Sequence, residues 1–216
     1  MCNRLHQSEK VVDELRKMGV VVEPDYSDKP RPTKIFPSSK VTPRSALTVH
    51  RAIGGNRPLV AQLTPWGVPC FVPGKKPGTV LEKLATNARN YNYEVWRPLI
   101  ADTAHRCLVP FSHFAEPHPE GGKGDDGLPK QAWFSMPGGA VGWFAGVWHE
   151  GDRGRTFAFL TTAANDQMRP IHPKAMPVIL EPDQFDQWLE GDKAAALALA
   201  KPYAGILEMQ IETPPA

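Results

Sequence analysis

Proline is the residue that most limits how this chain can fold. It occurs 23 times in 216 residues, against an average of roughly 5% in proteins. Because proline fixes its own φ angle and has no backbone N–H to donate, it interrupts helices and the inner strands of sheets. The sequence therefore predicts many short elements joined by stiff turns.

Most of these short elements are predicted to be strands, because they are runs of aromatic and β-branched residues. The pattern predicts a single α+β domain spanning residues 2–216, with a curved, mostly antiparallel, barrel-like β-sheet core and flanking helices. Residues 64–78, rich in proline and glycine, are predicted to form a loop. Helices are predicted at residues 8–18, 183–189 and 192–200, with a further one beginning at residues 79–84. The predicted strands are residues 20–22, 46–50, 59–63, 106–109, 131–135, 143–148, 156–162, 176–182 and 207–212.

Composition excludes several classes of protein. No stretch approaches the roughly 18 apolar residues of a membrane span, and the first ten residues lack the apolar run of a signal peptide. Three cysteines without a CxxC spacing argue against a disulfide framework and a structural zinc site. We therefore expect a soluble cytoplasmic protein with no membrane association, no metal and no cofactor.

Basic residues are concentrated in one part of the chain. Between Asp28 and Glu82 there is no acidic residue, while there are nine lysines and arginines. A one-sided cationic field suits binding to a phosphate backbone, although a solvated basic face without a partner has the same composition. Pro37 and Trp66 lie in this region, where they are candidates to stack against nucleic-acid bases; core or turn positions are the alternative.

Cys2 follows Met1 and is small enough to allow removal of that methionine. The chain would then begin with a free amine and a thiol on neighbouring carbons. The pKa of such an amine is about 7.7–8.0, so part of it is neutral and nucleophilic near neutral pH. With an aldehyde, the amine forms a Schiff base and the thiol closes a thiazolidine ring. The alternative is that Cys2 is incidental.

Three polar stretches hold further candidates for chemistry. Asn87 and Arg89 offer an amide and a cation, Glu116 lies where a strand end is expected to meet a loop, and His172 lies in a predicted loop before a strand. Taken alone, each is better explained by a structural role: Asn87 as a turn former, Glu116 as a surface charge and His172 as an ordinary loop residue.

Taken in order, these stretches resemble one family. They are similar to segments of the SOS response-associated peptidases, the SRAP family. The similar segments are MCNR, WG at Trp66, NAR at Asn87, RCLVP through Glu116, FAGVW, and TTAAN through HPKAMPVIL. The resemblance extends from Cys2 to Leu180. It implies one compact domain with a positively charged face that binds single-stranded DNA, or junctions of single and double strands, containing abasic sites. Peptidase activity is then self-removal of Met1.

The resemblance also implies roles for individual residues. Cys2 captures the ring-opened aldehyde of the abasic site as a thiazolidine crosslink, and Asn87 orients the amine. Glu116 acts as acid and base in Schiff-base formation, and His172 assists sugar-ring opening and reversal of the linkage. Both proton-transfer steps are general acid–base chemistry.

Arg4 and Arg89 match positions that hold the DNA backbone, and arginine suits phosphate because its planar fork bonds two oxygens. The sequence departs from the family pattern at Asn3, where glycine is usual, and at Pro117, where many members have tryptophan. HPKAMP is one residue longer than the frequent H-x-R-M-P, so Lys174 is expected to take the phosphate role of the missing arginine.

Two other functions fit the residues. An N-terminal-nucleophile amidohydrolase, such as a glutamine amidotransferase, also begins with a processed cysteine. A non-catalytic single-stranded DNA-binding module, with Cys2 incidental, would show salt-sensitive binding. Under the main hypothesis the protein is expected to be a monomer, associated with the nucleoid if bacterial.

Overall fold

The computed structural model describes residues 4–22, 45–52, 57–124, 129–152 and 154–211. Strands dominate this part of the chain, and the α+β class is confirmed. The strands are β1 (Arg4–His6), β2 (Val21–Val22), β3 (Ser45–Arg51), β4 (Leu59–Pro65), β5 (Val68–Pro73), β6 (Val80–Ala85), β7 (Asn87–Ala88), β8 (Arg106–Phe111), β9 (His113–Pro117), β10 (Gln131–Ser135), β11 (Gly142–Gly151), β12 (Gly154–Thr162), β13 (Met176–Pro177) and β14 (Glu208–Ile211). The helices are α1 (Glu9–Lys17), α2 (Trp96–Ala101), α3 (Phe185–Glu190) and α4 (Lys193–Ala198).

The described strands form two main sheets and a separate hairpin. The large sheet has the order β13-β12-β11-β8-β3-β4-β2, with β7 also paired to β12. Its pairs are antiparallel except β7 with β12 and β2 with β4. Within the described residues this sheet has two ends, so it is an open sheet and does not close into a barrel. The small sheet has the order β1-β9-β10-β14, and β5 pairs with β6.

The large sheet separates two buried clusters, because successive side chains of a strand point to opposite faces. On β12, Phe157 and Phe159 belong to one cluster, whereas Ala158 and Leu160 belong to the other. We call the second cluster the helix-side core, since it includes apolar residues of all four helices. The first cluster, which also includes side chains of β1, β9 and β10 from the small sheet, is the inter-sheet core.

The two sheets are joined directly by the chain. β8 of the large sheet ends at Phe111, and β9 of the small sheet begins at His113, so a single residue, Ser112, connects them. The Phe111 ring stacks on Phe144 of the large sheet, with ring centroids 4.3 Å apart, and meets Phe114 of the small sheet edge-on. The inter-sheet core is therefore closely packed at this corner.

The hairpin was not predicted correctly from the sequence. Residues 64–78 were expected to be a loop and residues 79–84 the start of a helix, but β5 and β6 pair from Val68 with Ala85 to Pro73 with Val80. Leucine, lysine and glutamate favour a helix locally, and cross-strand pairing overrides that preference. Prolines are tolerated in β5 because each strand of a two-stranded sheet is an edge.

The other elements agree with the sequence more closely. Helices α1, α3 and α4 were predicted within a few residues of their ends, whereas α2 was not predicted. The last predicted strand before α3 is shorter than expected, since only Met176–Pro177 of residues 176–182 form β13. No helix in the described residues is long and apolar enough to cross a membrane.

Candidate active site

Glu116 is a buried carboxyl group near the end of β9. It lies opposite Ala132 of β10 and is only 1% exposed, so it is not a surface charge. Residues two apart on a strand share a face, so Glu116 points to the same side as Phe114, into the space between the sheets. Burial raises the pKa of Glu116 to about 7. Near neutral pH both protonation states are therefore populated, as a general acid and base requires.

Asn87 faces the same space from the large sheet. It lies opposite Phe159 in the parallel pair of β7 and β12. Paired residues on neighbouring strands project from the same face, so Asn87 is on the inter-sheet side with Phe159, while Ala88 is on the helix side. The Asn87 amide Nδ2 donates a hydrogen bond of 2.8 Å to Thr86 Oγ1. The register thus places Asn87 on the large sheet and Glu116 on the small sheet, each facing the inter-sheet core.

Trp66 was a candidate to stack against DNA bases, but the structure places it in the inter-sheet core. It is fully buried. Its ring stacks nearly parallel to Phe157, with centroids 6.1 Å apart, and lies 5.4 Å from Phe159. Its Nε1 donates a hydrogen bond of 3.0 Å to the carbonyl of Thr86. Trp66 therefore anchors the chain just before Asn87 rather than offering a face to a base.

Gly67 explains why the tryptophan is followed by glycine. Its φ angle is 127°, a region that favours glycine. A Cβ at this position would lie 2.9 Å from the Cβ of Leu84, which is closer than two non-bonded carbon atoms approach in proteins. Its backbone N donates a bond of 2.8 Å to the carbonyl of Phe157, which fixes the start of the hairpin against β12.

His172 lies in a turn between β12 and β13, as the sequence predicted. Its backbone N donates to the carbonyl of Met168 at 2.8 Å, and its ring Nδ1 lies 2.9 Å from the carbonyl oxygen and 3.1 Å from the backbone N of Ala175. Burial lowers the pKa of His172, and the positive charge of Arg89 acts in the same direction. The imidazole is therefore neutral near pH 7 and able to accept a proton.

The turn that holds His172 borders the inter-sheet core. Met168 and Met176, on either side of it, are fully buried in that cluster, and Ile171 packs against it. Asn87, Glu116 and His172 thus surround one apolar cluster from three parts of the chain.

Two amides that sequence reasoning missed hold this turn. The Gln167 side chain donates to the carbonyl of Leu207 and accepts a bond of 2.9 Å from its backbone N. Asn165 donates to the carbonyl of Tyr203 at 2.9 Å. Because β14 follows Leu207 and pairs with β10, these bonds tie the turn to the sheet that holds Glu116. No local pattern in the sequence distinguishes them from surface amides.

The candidate DNA-contacting residues lie beside these groups. Arg4 lies opposite Ala115, the residue before Glu116, so its side chain is buried on the other face of the small sheet from Glu116. Arg89 and Lys174 are exposed and follow Asn87 and His172 by two residues. Two further candidates, Cys2 and Pro37, lie outside the described residues.

Comparison with known proteins agrees with the fold. Among curated proteins, none matches significantly in sequence. A protein from Bordetella bronchiseptica has a similar structure, with a TM-score of 0.71 and 21% identity, covering 99% of this chain and 100% of that one. A protein from Bacteroides thetaiotaomicron has a TM-score of 0.68 and 18% identity, covering 97% and 91%. A phage-related protein from Bordetella bronchiseptica has a TM-score of 0.61 and 19% identity, covering 97% and 93%.

At these identities the similar structures establish the fold and nothing more. The family itself follows from the sequence. The family model described as SOS response associated peptidase matches residues 1–213, almost the whole chain. The chain therefore belongs to the SOS response associated peptidase (SRAP) family.

Proposed function

We propose that this protein covalently captures abasic sites in single-stranded DNA through Cys2, after removal of Met1. The aminothiol of Cys2 and the aldehyde of the ring-opened sugar form a thiazolidine with loss of one water. The observation that most supports this is Glu116, a carboxyl group with a pKa raised to about 7 that lies beside the first strand of the chain. A proton donor and acceptor is what this condensation needs at neutral pH.

Covalent geometry limits how far Cys2 can be from Glu116. Two peptide units separate Cys2 from Arg4, so their Cα atoms are at most about 7 Å apart. Arg4 lies opposite Ala115, and facing residues of antiparallel strands have Cα atoms about 4.5–5.5 Å apart. The range open to Cys2 therefore includes the neighbourhood of Glu116, the residue next to Ala115.

Each candidate residue has a step in the reaction. Neutral His172 accepts the proton of the anomeric hydroxyl and passes it to the ring oxygen as the bond from that oxygen to the anomeric carbon breaks, which opens the sugar and frees the aldehyde. The neutral amine of Cys2, oriented by Asn87, adds to the carbonyl carbon. Protonated Glu116 donates to the resulting hydroxyl, which leaves as water. The Cys2 sulfur then bonds to the carbon of the resulting iminium, and the thiol proton passes to the Glu116 carboxylate, which restores the acid.

The proposed substrate follows from the charges around these groups. Arg89 and Lys174 follow Asn87 and His172 by two residues, and Arg4 pairs with Ala115, the residue before Glu116, so three basic side chains come from the segments that carry the candidate catalytic residues. A guanidinium can hold two phosphate oxygens at once. In single-stranded DNA, or at its junction with a duplex, no complementary strand covers the abasic sugar. The sugar can therefore enter the site where Glu116 is buried.

The decisive experiment uses a single-stranded oligonucleotide with one abasic site. Wild-type protein is expected to form an adduct that survives heating, with an intact mass equal to DNA plus protein lacking Met1, less one water. Cys2→Ala is expected to form none, whereas the matched control Cys70→Ala, at a buried cysteine, keeps the activity.

Other outcomes would overturn the proposal. Retained Met1, or an adduct formed equally by Cys2→Ala, would contradict it. Glutamine hydrolysis without adduct would favour an amidohydrolase. Salt-sensitive DNA binding that Cys2→Ala leaves unchanged, again without adduct, would favour a non-catalytic binding module.

A further inference from the structure

Gln7 is a buried amide that joins the first strand of the chain to the middle of the large sheet. It is 3% exposed. Its Nε2 donates to the carbonyls of Leu47 at 3.0 Å and Pro110 at 2.7 Å, and its Oε1 accepts from the backbone N of Leu47 at 2.8 Å. Both amide hydrogens of the side chain are therefore used, as is its oxygen.

The position of these bonds in the sheet explains why an amide is needed. Val49 of β3 lies opposite Leu108 of β8, so the same antiparallel register brings Leu47 opposite Pro110. Proline has no N–H, so Pro110 cannot donate to Leu47 as another residue in the ladder would. The Gln7 carboxamide, with the donors and acceptor of a peptide group, supplies the bonds that the two strands cannot make.

A second set of bonds holds the residues on either side of Gln7. Ser112, at the corner between the sheets, donates from its backbone N and from its hydroxyl to the carbonyl of His6, each at 2.9 Å. The Ser112 Oγ also accepts a bond of 3.1 Å from the backbone N of Ser8. The end of β1 is thus fixed to the small sheet by pairing, to the large sheet by Gln7 and to the corner by Ser112.

We propose that Gln7 is a positioning residue for the crosslinking reaction, because it fixes the strand from which Cys2 extends. The inference rests on the proposed function. Gln7 is five positions after Cys2, and β1 lies between them in a defined register with β9. Holding a nucleophile at reacting distance is a large part of catalysis, and a displacement of about 1 Å can cost 10²-fold in rate.

The test compares two variants that each lose buried hydrogen bonds in the same part of the large sheet. Gln7→Met keeps the length and burial of the side chain but removes its bonds. Thr48→Val, on the residue after Leu47, removes the 2.7 Å bond between the hydroxyls of Thr48 and Thr64 without touching β1. Both are compared with wild type at a temperature where circular dichroism shows all three folded.

Two readouts separate positioning from general loosening of the fold. The first is the rate of adduct formation at saturating abasic DNA. The second is Kd for the same oligonucleotide carrying a tetrahydrofuran analogue, which has no aldehyde. Gln7→Met is expected to lower the rate about tenfold with Kd changed less than about twofold, by the misplacement argument. Thr48→Val is expected to change neither.

If Gln7→Met does not fold, Ser112→Ala replaces it, with an expected fall in rate of about threefold and the same unchanged Kd. A folded variant that reacts at the wild-type rate overturns the inference and leaves the proposed function standing. Equal losses of rate in Gln7→Met and Thr48→Val, or parallel losses of rate and affinity, also overturn it. Absence of adduct with wild type contradicts the proposed function itself.

Discussion

Arg106 and Glu116 are two charged side chains, each 1% exposed, on consecutive strands of this protein. The Arg106 guanidinium donates to the backbone carbonyls of Ile100 at 2.8 Å, Trp188 at 2.9 Å and Gly191 at 2.6 Å, with a longer bond to Ala101. Glu116 lies in the inter-sheet layer instead, where burial raises its pKa to about 7.

The difference shows that burial of a charge does not by itself indicate chemistry. Burial raises the pKa of Glu116 but lowers that of Arg106. An arginine nevertheless stays protonated, and the donors of Arg106 bond carbonyls at the ends of α2 and α3. The carboxyl group of Glu116 has two protonation states of similar free energy near neutral pH. Arg106 therefore stabilises the fold, whereas Glu116 is suited to transfer protons.

The largest effect is expected from Arg106→Met. The variant leaves three closely bonded carbonyls in the helix-side region without their donor. Each buried group left unsatisfied in this way costs about 1–3 kcal/mol, so the three together cost more than about 3 kcal/mol. Urea unfolding at neutral pH is expected to show a loss of that size. Arg106→Lys is expected to recover only part of it, since an ammonium group cannot match the planar fork. Unchanged stability in Arg106→Met would contradict the structural role assigned to this arginine.

A smaller effect is expected for Glu116, whose contribution to the free energy of unfolding depends on pH. Its folded pKa is raised from 4.5 to about 7, so the folded protein binds this proton more tightly than the unfolded chain. The resulting stabilisation is fully present below about pH 4.5 and is lost as pH rises through about 7, in total about 3 kcal/mol. Relative to Glu116→Gln, wild type should therefore lose stability between about pH 5 and pH 8.

The measurement is the free energy of unfolding of both proteins across that pH range. Glu94→Gln, at an exposed position, controls for the loss of one carboxyl group. A difference between wild type and Glu116→Gln that is constant with pH, or that changes with the opposite sign, would remove the physical basis for Glu116 as a proton donor and acceptor near pH 7.

The sequence predicted the elements whose pattern is local. β8, β11 and β12 are runs of aromatic and β-branched residues, and α1 has its apolar residues on one face. The hairpin of β5 and β6 was missed because its stability comes from pairing between strands and not from either segment alone. Candidate site residues were found through the ordered resemblance, since no single residue distinguished itself from a loop or surface position.

Other parts of the site depend on contacts between distant segments. The burial of Trp66 is decided by Phe157 and Phe159, some ninety residues later in the chain. Gln7 acts through Leu47 and Pro110, which the sheet register brings together. A tryptophan in a proline-rich basic stretch and a glutamine near the N-terminus have no local feature that shows these partners.

The smallest predicted effect comes from two tryptophans that make the same bond on the two sides of the large sheet. Trp66 Nε1 donates to the carbonyl of Thr86 at 3.0 Å on the inter-sheet side, and Trp188 Nε1 donates to the carbonyl of Cys107 at 2.8 Å on the helix side. Replacing either by phenylalanine removes one buried hydrogen bond and leaves a small cavity, so each variant should lose about 2 kcal/mol of stability. Only Trp66→Phe should also slow adduct formation, by about threefold, because Thr86 precedes Asn87 and the looser strand misplaces its amide. Unfolding curves and adduct rates for the pair measure both quantities, and equal slowing in Trp188→Phe would mean that general stability, rather than the inter-sheet position of Asn87, limits the rate.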